Sequence, residues 1–224
     1  MAESWLLANA RHRQPWDGAD WIAPSPLAVS TAIAPVREQT LIETLGHYPA
    51  PLAILDCVEF GLVQCFDGAI RSEMSIFSHL IQRGEPRNMI QTLFLGKAAY
   101  ERCTKGQDAP AFVAQVVSAV RAVLAQSSAA ATALAAAGFV GMGEPATAAV
   151  RRKPLPGYWV EGAEADPRQE VSLAVLQRIS EAVSPWAGKH TPEELRMADF
   201  VVVRDTGYPA YLGGPFAFAA RTLG

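Results

Sequence analysis

Eleven residues near the C-terminus, Thr206-Gly207-Tyr208-Pro209-Ala210-Tyr211-Leu212-Gly213-Gly214-Pro215-Phe216, constrain this chain more than any other segment. Seven of the eleven are Gly, Pro or Tyr, and the run lies between two apolar stretches. Gly permits positive φ and Pro locks φ at about −65°, so such a density of backbone-setting residues makes one specific loop. Its flanks read as helices. Thr191-Pro192-Glu193-Glu194 is a capping box with Pro at the first helical position, and it opens a helix that ends before Gly207. Phe200-Val201-Val202-Val203 has strand-like composition, but its short distance from that capping box favours helix. A last short helix begins at Pro215.

The rest of the chain has the same helical period. A helix is expected from Ser30 to Leu45, interrupted near Pro35. From Pro51 onward, Leu52, Leu55, Val58, Leu62 and Phe66 form an apolar stripe at spacings of three and four. Asp67 is a natural N-cap for the next helix, whose stripe is Ile70, Met74, Phe77 and Ile81, ending at Gly84. Glu85-Pro86 starts a third helix. Asp108-Ala109-Pro110 starts a fourth, with Val113, Val116, Val117, Val120 and Leu124 on one side. The alanine-rich run Ser128 to Ala137 reads as helix, because alanine has the highest helix propensity. Asp166-Pro167 caps a helix bearing Val171, Val175, Ile179 and Val183. No alternating strand pattern of convincing length is present. The fold class expected is all-α, divided into an irregular arm (1–29), a helical block (30–105), an alanine-rich connector (106–165) and a terminal helical block (166–224).

Composition narrows the function classes. Half of the 224 residues are hydrophobic and 18% are charged, which argues against disorder for most of the chain. A net charge of −3 gives no clustered basic excess for nucleic acid. No apolar run reaches the ~18 residues of a membrane span, and the opening residues lack the apolar stretch of a signal peptide. Cys57, Cys65 and Cys103 are odd in number and lie in apolar helical surroundings, which fits reduced core thiols and a cytoplasmic protein.

Candidate chemistry is sparse. His12, His47, His79 and His190 have no partner at metal-ligand spacing, so no metal site is expected. Cys65 has no basic neighbour to activate it. Glu59 and Glu73 form a conceivable acid–base dyad, outweighed by the commoner solvated or ion-paired glutamate. Gly138-Phe139-Val140-Gly141-Met142-Gly143 has the spacing G-x-x-G-x-G, not the dinucleotide fingerprint, and a helix precedes it instead of a strand. It reads as a helix–helix connection. Arg151-Arg152-Lys153 could meet a phosphate such as that of coenzyme A, although three basic residues ending a helix also complement its dipole.

Two blocks of the chain resemble the multifunctional enoyl-CoA hydratase/3-hydroxyacyl-CoA dehydrogenases of fatty-acid β-oxidation. The terminal loop is similar to their "G-F/Y-P-x-x-x-G-G-P" segment, and Arg196-Met197-Ala198-Asp199-Phe200 resembles the "x-x-A-D" helix before it. Gln14-Pro15-Trp16-Asp17 resembles "Q-P-W-D". Pro49-Ala50-Pro51-Leu52-Ala53-Ile54-Leu55 is similar to a "Y-P-A-x-x-A-I-L" helix start. Asp67-Gly68-Ala69-Ile70-Arg71-Ser72-Glu73 with Phe77 resembles "D-x-A-L-x-x-E-x-x-x-F". Arg87 to Lys97 is similar to "R-N-M-I-R-T-L-F-L-N-K". The resemblance spans roughly Gln14 to Lys97 and Asp166 to Gly224, and it implies the end of a hydratase region, its linker and the last helical repeat of a dehydrogenase.

The family's catalytic parts have no counterpart here. Its hydratase glutamates and oxyanion hole sit in an early β-rich part that this chain lacks. Its Rossmann unit would fall between the two blocks, where about seventy helix-like residues cannot build a parallel sheet. No catalytic, cofactor-binding or metal-binding residue carries over. The resemblance therefore implies a non-catalytic subunit or scaffold that docks onto a β-oxidation enzyme, or a homo-oligomer. Thr206, Gly207, Tyr208, Pro209, Gly213, Gly214, Pro215 and Phe216 form the expected interaction loop. The alternatives are a small acyl-CoA-binding protein or enzyme with a rebuilt site (hydratase or NAD-dependent dehydrogenase), and a decayed remnant of a larger gene.

Overall fold

The computed structural model describes residues 22–142 and 167–222, together with residues 4, 5 and 8. Among them every regular element is helical, as the sequence predicts, and no strand is present. In order these are α1 (Pro26–Thr44), α2 (Pro49–Gly61), α3 (Phe66–Gln82), α4 (Gly84–Met89), a π-helical stretch (Ile90–Gly96), α5 (Lys97–Cys103) and α6 (Ala111–Ala125). A 3-10 turn (Ser128–Ala130) leads into α7 (Ala131–Ala136). After the undescribed segment come α8 (Pro167–Ala187), α9 (Pro192–Thr206), a second 3-10 turn (Ala210–Leu212) and α10 (Pro215–Thr222).

Local chemistry explains most helix ends. At α9, Thr191 accepts from the Glu194 amide while the Glu194 carboxylate accepts from the Thr191 amide at 2.8 Å, so the capping box forms as expected. Other ends differ from the sequence reading. α1 begins at Pro26, capped by Ser25, so the expected arm ends four residues sooner, and the helix runs unbroken past Pro35. α3 begins at Phe66, which puts Asp67 inside its first turn, where a carboxylate still complements the helix dipole. The rod from α4 through the π-helical stretch to α5 is nearly continuous. Its Gly96 faces the backbone of α9, where an added Cβ would lie 2.5 Å from the Arg196 carbonyl oxygen; only glycine permits this approach.

The core lies in the later half of the chain. α6 packs against α8 and α9, α9 against the π-helical stretch, α5 and α10, and α8 against α7 and α10. The expected α6 stripe (Val113, Val116, Val117, Val120, Leu124) is buried, together with Val175, Ile179 and Val183 of α8. Val171 is exposed at the start of that helix. The helices α1, α2 and α3 form a separate layer in which neighbours pack in chain order, joined to the rest chiefly through α4. That layer is thin. α1 buries Val29 and Ile33, α2 buries Pro49, and α3 buries no residue.

No single helix among the described residues is long and apolar enough to cross a membrane. The bent pair of α6 with the 3-10 turn and α7 passes by composition alone, at an angle of 73°. Its apolar residues form the core just described.

Candidate functional site

The loop at 206–216 is folded into the interior of its own chain. Tyr208, Pro209, Tyr211, Leu212, Gly213, Gly214, Pro215 and Phe216 are all buried, and Thr206 and Gly207 are half-buried. Its backbone is held from three directions. The Asn88 amide of α4 donates to the Tyr211 carbonyl at 2.7 Å, and the Thr92 hydroxyl of the π-helical stretch donates to the Gly213 carbonyl at 2.6 Å. From the other side, the Arg221 guanidinium of α10 donates to the Leu212 carbonyl at 2.7 Å. The Tyr211 hydroxyl donates to the Ala137 carbonyl at 3.0 Å. His47 stacks on the Tyr211 ring at 4.5 Å, with its Nε2 hydrogen-bonded to the Ala136 carbonyl at 2.9 Å, and burial holds its pKa below the ordinary histidine value.

Asp199 is the centre of this arrangement. α10 starts with Pro215, which has no N–H to satisfy, so its first free donors are the Phe216 and Ala217 amides. Asp199 reaches across from α9 and takes both, one on each oxygen, at 2.9 and 3.0 Å. The next amide, Phe218, is taken by the Gly214 carbonyl. One carboxylate on a neighbouring helix thus caps α10. Burial pushes the Asp199 pKa up to about 8, against the pull of the two amides and of Arg221. Close by, Tyr208 is wholly buried, its hydroxyl has no hydrogen-bond partner among the described residues, and burial raises its pKa well above the ordinary value.

A buried carboxyl beside a buried phenol has the ingredients of acid–base chemistry, but general acid–base catalysis needs hydrogen-bond reach to a substrate. Asp199 is 2% exposed and Tyr208 also 2%. The cluster is sealed, and its chemistry is that of a structural lock.

The other sequence candidates do not converge. Glu59 pairs with Arg37 at 2.7 Å. His79 is exposed on α3, with Nδ1 at 2.8 Å from the Ser75 carbonyl oxygen. Gly138 and Gly141 have positive φ, and the intervening Val140 amide donates to the Gly207 carbonyl at 2.9 Å. That segment packs against the buried loop. Gly143, the basic triplet Arg151-Arg152-Lys153, the Gln14-Pro15-Trp16-Asp17 motif and His12 lie outside the described residues. No group of three metal-ligating side chains occurs among the described residues.

Surface apolar residues are the second feature of note. α3 has two apolar stripes. Ile76 and Leu80, half-buried, line a cleft with Leu52 and Ala53 of α2. Phe66, Ile70, Met74, Phe77 and Ile81 face solvent at exposures from 39% for Ile70 to 66% for Met74. On α2, Ile54, Val58 and Phe60 are exposed as well, and beyond α3 so are Ile90 and Phe94. Single exposed apolar residues are ordinary; a whole stripe at helical spacing is what an interaction surface presents.

Comparison with known proteins adds no further guide: no family model matches the chain, and no solved structure matches it.

Proposed function

We propose that the protein is a non-catalytic helical subunit or scaffold related to the 3-hydroxyacyl-CoA dehydrogenase/enoyl-CoA hydratase enzymes, acting in acyl-CoA β-oxidation by association with an enzyme partner. The observation that supports this reading is the uncovered apolar surface of α2 and α3. These are the helices whose sequence resembles the end of the hydratase region, and they bury almost nothing within this chain. The reading moves the docking surface from the terminal loop, which its own chain covers, to these helices. The compartment it implies is the cytoplasm.

The test uses the tagged full-length chain and its Ile54→Glu/Val58→Glu variant, both immobilised and washed with host extract. Hydratase or NAD-linked 3-hydroxyacyl-CoA dehydrogenase activity should be retained by the wild type and lost from the variant, while the purified chain alone turns over neither substrate. Turnover by the purified chain would refute the non-catalytic assignment. Equal retention by wild type and variant, or none by either, would refute the docking surface.

A further inference from the structure

We propose that the cleft between α2 and α3 binds a small amphipathic carboxylate, its aliphatic tail against the apolar walls and its head among Arg37, His79 and Arg83. Ile54 and Val58, the docking residues of the preceding section, do not line this cleft, so the proposal stands apart from that reading.

The cleft comes from the way the two helices meet. Near the turn that joins them they touch: a Cβ built on Gly61 would lie 3.6 Å from the Ala69 Cβ, an ordinary van der Waals contact. Towards their other ends the seam is open. Leu52 and Ala53 of α2 and Ile76 and Leu80 of α3 are only half-buried, and with Gly46 and Pro49 they border a space of about 450 Å³. That volume is within the range of small-molecule sites, which combine apolar walls with a few convergent polar groups. Ala53 keeps the space open where a larger side chain would fill it.

The polar lining sets the sign of the ligand. Two guanidiniums and an imidazole line the cleft with a single carboxylate, Asp56. Arg37 is fixed in place by Asp56 at 2.8 Å and by Glu59 at 2.7 Å. Arg83 donates to Glu85 from Nε at 3.3 Å and from Nη2 at 2.6 Å, which leaves Nη1 without a partner among the described residues. His79 Nδ1 lies 2.8 Å from the Ser75 carbonyl oxygen, which can only accept, so Nδ1 carries the proton and Nε2 is left to a ligand. A carboxylate head suits this set, because guanidinium and protonated imidazole both make charge-assisted bonds to it. A neutral ligand would leave Arg83 Nη1 to water, and a bare anion would leave the apolar walls wet.

The test is a titration of the full-length chain with octanoate, followed by ¹H–¹⁵N correlation spectra at constant ionic strength. Saturable binding is expected at a Kd of ~1 mM or tighter. Perturbed amides should cluster in residues 49–56 and 76–83. Each methylene taken out of water strengthens binding up to about fourfold, so octanoate should bind at least ~10-fold more tightly than butanoate. The neutral 1-octanol should also bind at least ~10-fold more weakly than octanoate. His79→Ala, at an exposed position that tolerates change, should weaken octanoate at least ~3-fold, and Ala53→Phe should block it. Ile54→Glu/Val58→Glu should bind octanoate as the wild type does, which separates this site from the docking surface. No saturable shift overturns the proposal, and so does octanol binding as tightly as octanoate. Shifts centred on Phe66, Met74 and Phe77 would mean adsorption to the outer stripe and would overturn it as well. Unchanged affinity in His79→Ala, or in a folded Ala53→Phe, has the same force.

Discussion

Replacing Gly214 by alanine is the sharpest probe of the lock around the terminal loop. Gly214 has φ +94°, and a Cβ built on it would fall 2.5 Å from both Cβ and Cγ of Asp199. Two costs arise. The left-handed backbone disfavours any L side chain by about 1–2 kcal/mol. The contact cannot be relieved at the flexible end of a long side chain, because Asp199 is wholly buried and bonded to two amides. Moving it weakens both bonds to the start of α10, each worth roughly 0.5–1.5 kcal/mol for a carboxyl that is protonated below pH 8. With partial retention of those bonds, the sum is about 2–4 kcal/mol, a large part of a typical 5–15 kcal/mol folding stability. Gly141 supplies the control. It too has positive φ (+81°), but no atom of the described residues lies within 4 Å of the position a Cβ would take, so Gly141→Ala should cost only the backbone term, about 1 kcal/mol. Equilibrium urea unfolding followed by far-ultraviolet circular dichroism measures both. In thermal melts, each 1 kcal/mol should appear as about 2–4 °C for a chain of this size. If the two variants differ by less than about 1 kcal/mol, Asp199 does not hold α10 as described.

Two further predictions concern the same cluster. Asp199 titrates near 8 in the folded chain and near 3.8 when unfolded, so between those values the native state holds a proton that the unfolded state has lost. Stability should therefore fall as pH rises towards 8, by up to ~1.4 kcal/mol per pH unit. His47, depressed by burial, acts in the opposite direction in acid, where the unfolded imidazole gains a proton first, so the clean window is roughly pH 6.5 to 8. Melting temperatures over that window should decline in the wild type and flatten in Asp199→Asn; parallel slopes would refute the titration. Tyr208→Phe removes a buried hydroxyl that has no partner among the described residues, and should raise stability by about 1 kcal/mol in urea unfolding even though the tyrosine belongs to the most distinctive motif of the chain. A loss instead would mean that the hydroxyl is satisfied in solution.

Some of this structure is legible in sequence and some is not, according to the kind of signal each part carries. The capping box at Thr191, the Pro215 start and the α6 stripe are local patterns, and each appears as expected because the interactions lie within one turn or one face. The loop's constrained backbone is equally plain; its burial is not, since Asn88 and Thr92 hold it from more than a hundred residues away. Asp199 leaves a fainter trace. A helix that begins Gly-Pro-Phe-Ala has no Ser, Thr, Asp or Asn of its own at the cap, so its amides must be satisfied from elsewhere, and a lone carboxylate in the apolar middle of α9 is the natural source.

The stripe of α3 shows the limit of periodicity most directly. Val113, Val116, Val117 and Val120 on α6 and Ile70, Met74, Phe77 and Ile81 on α3 are written in the same helical spacing. The first set is buried and the second faces solvent. Spacing reports that a helix has an apolar face; it carries no information on which chain covers that face. The difference lies in the elements that come later in the chain. α6 is succeeded, after α7, by α8 and α9, which pack on it, whereas α3 is succeeded by a rod committed to α9 and the terminal loop. Among the described residues the later helices are committed elsewhere, and the outer stripe of α3 stays exposed.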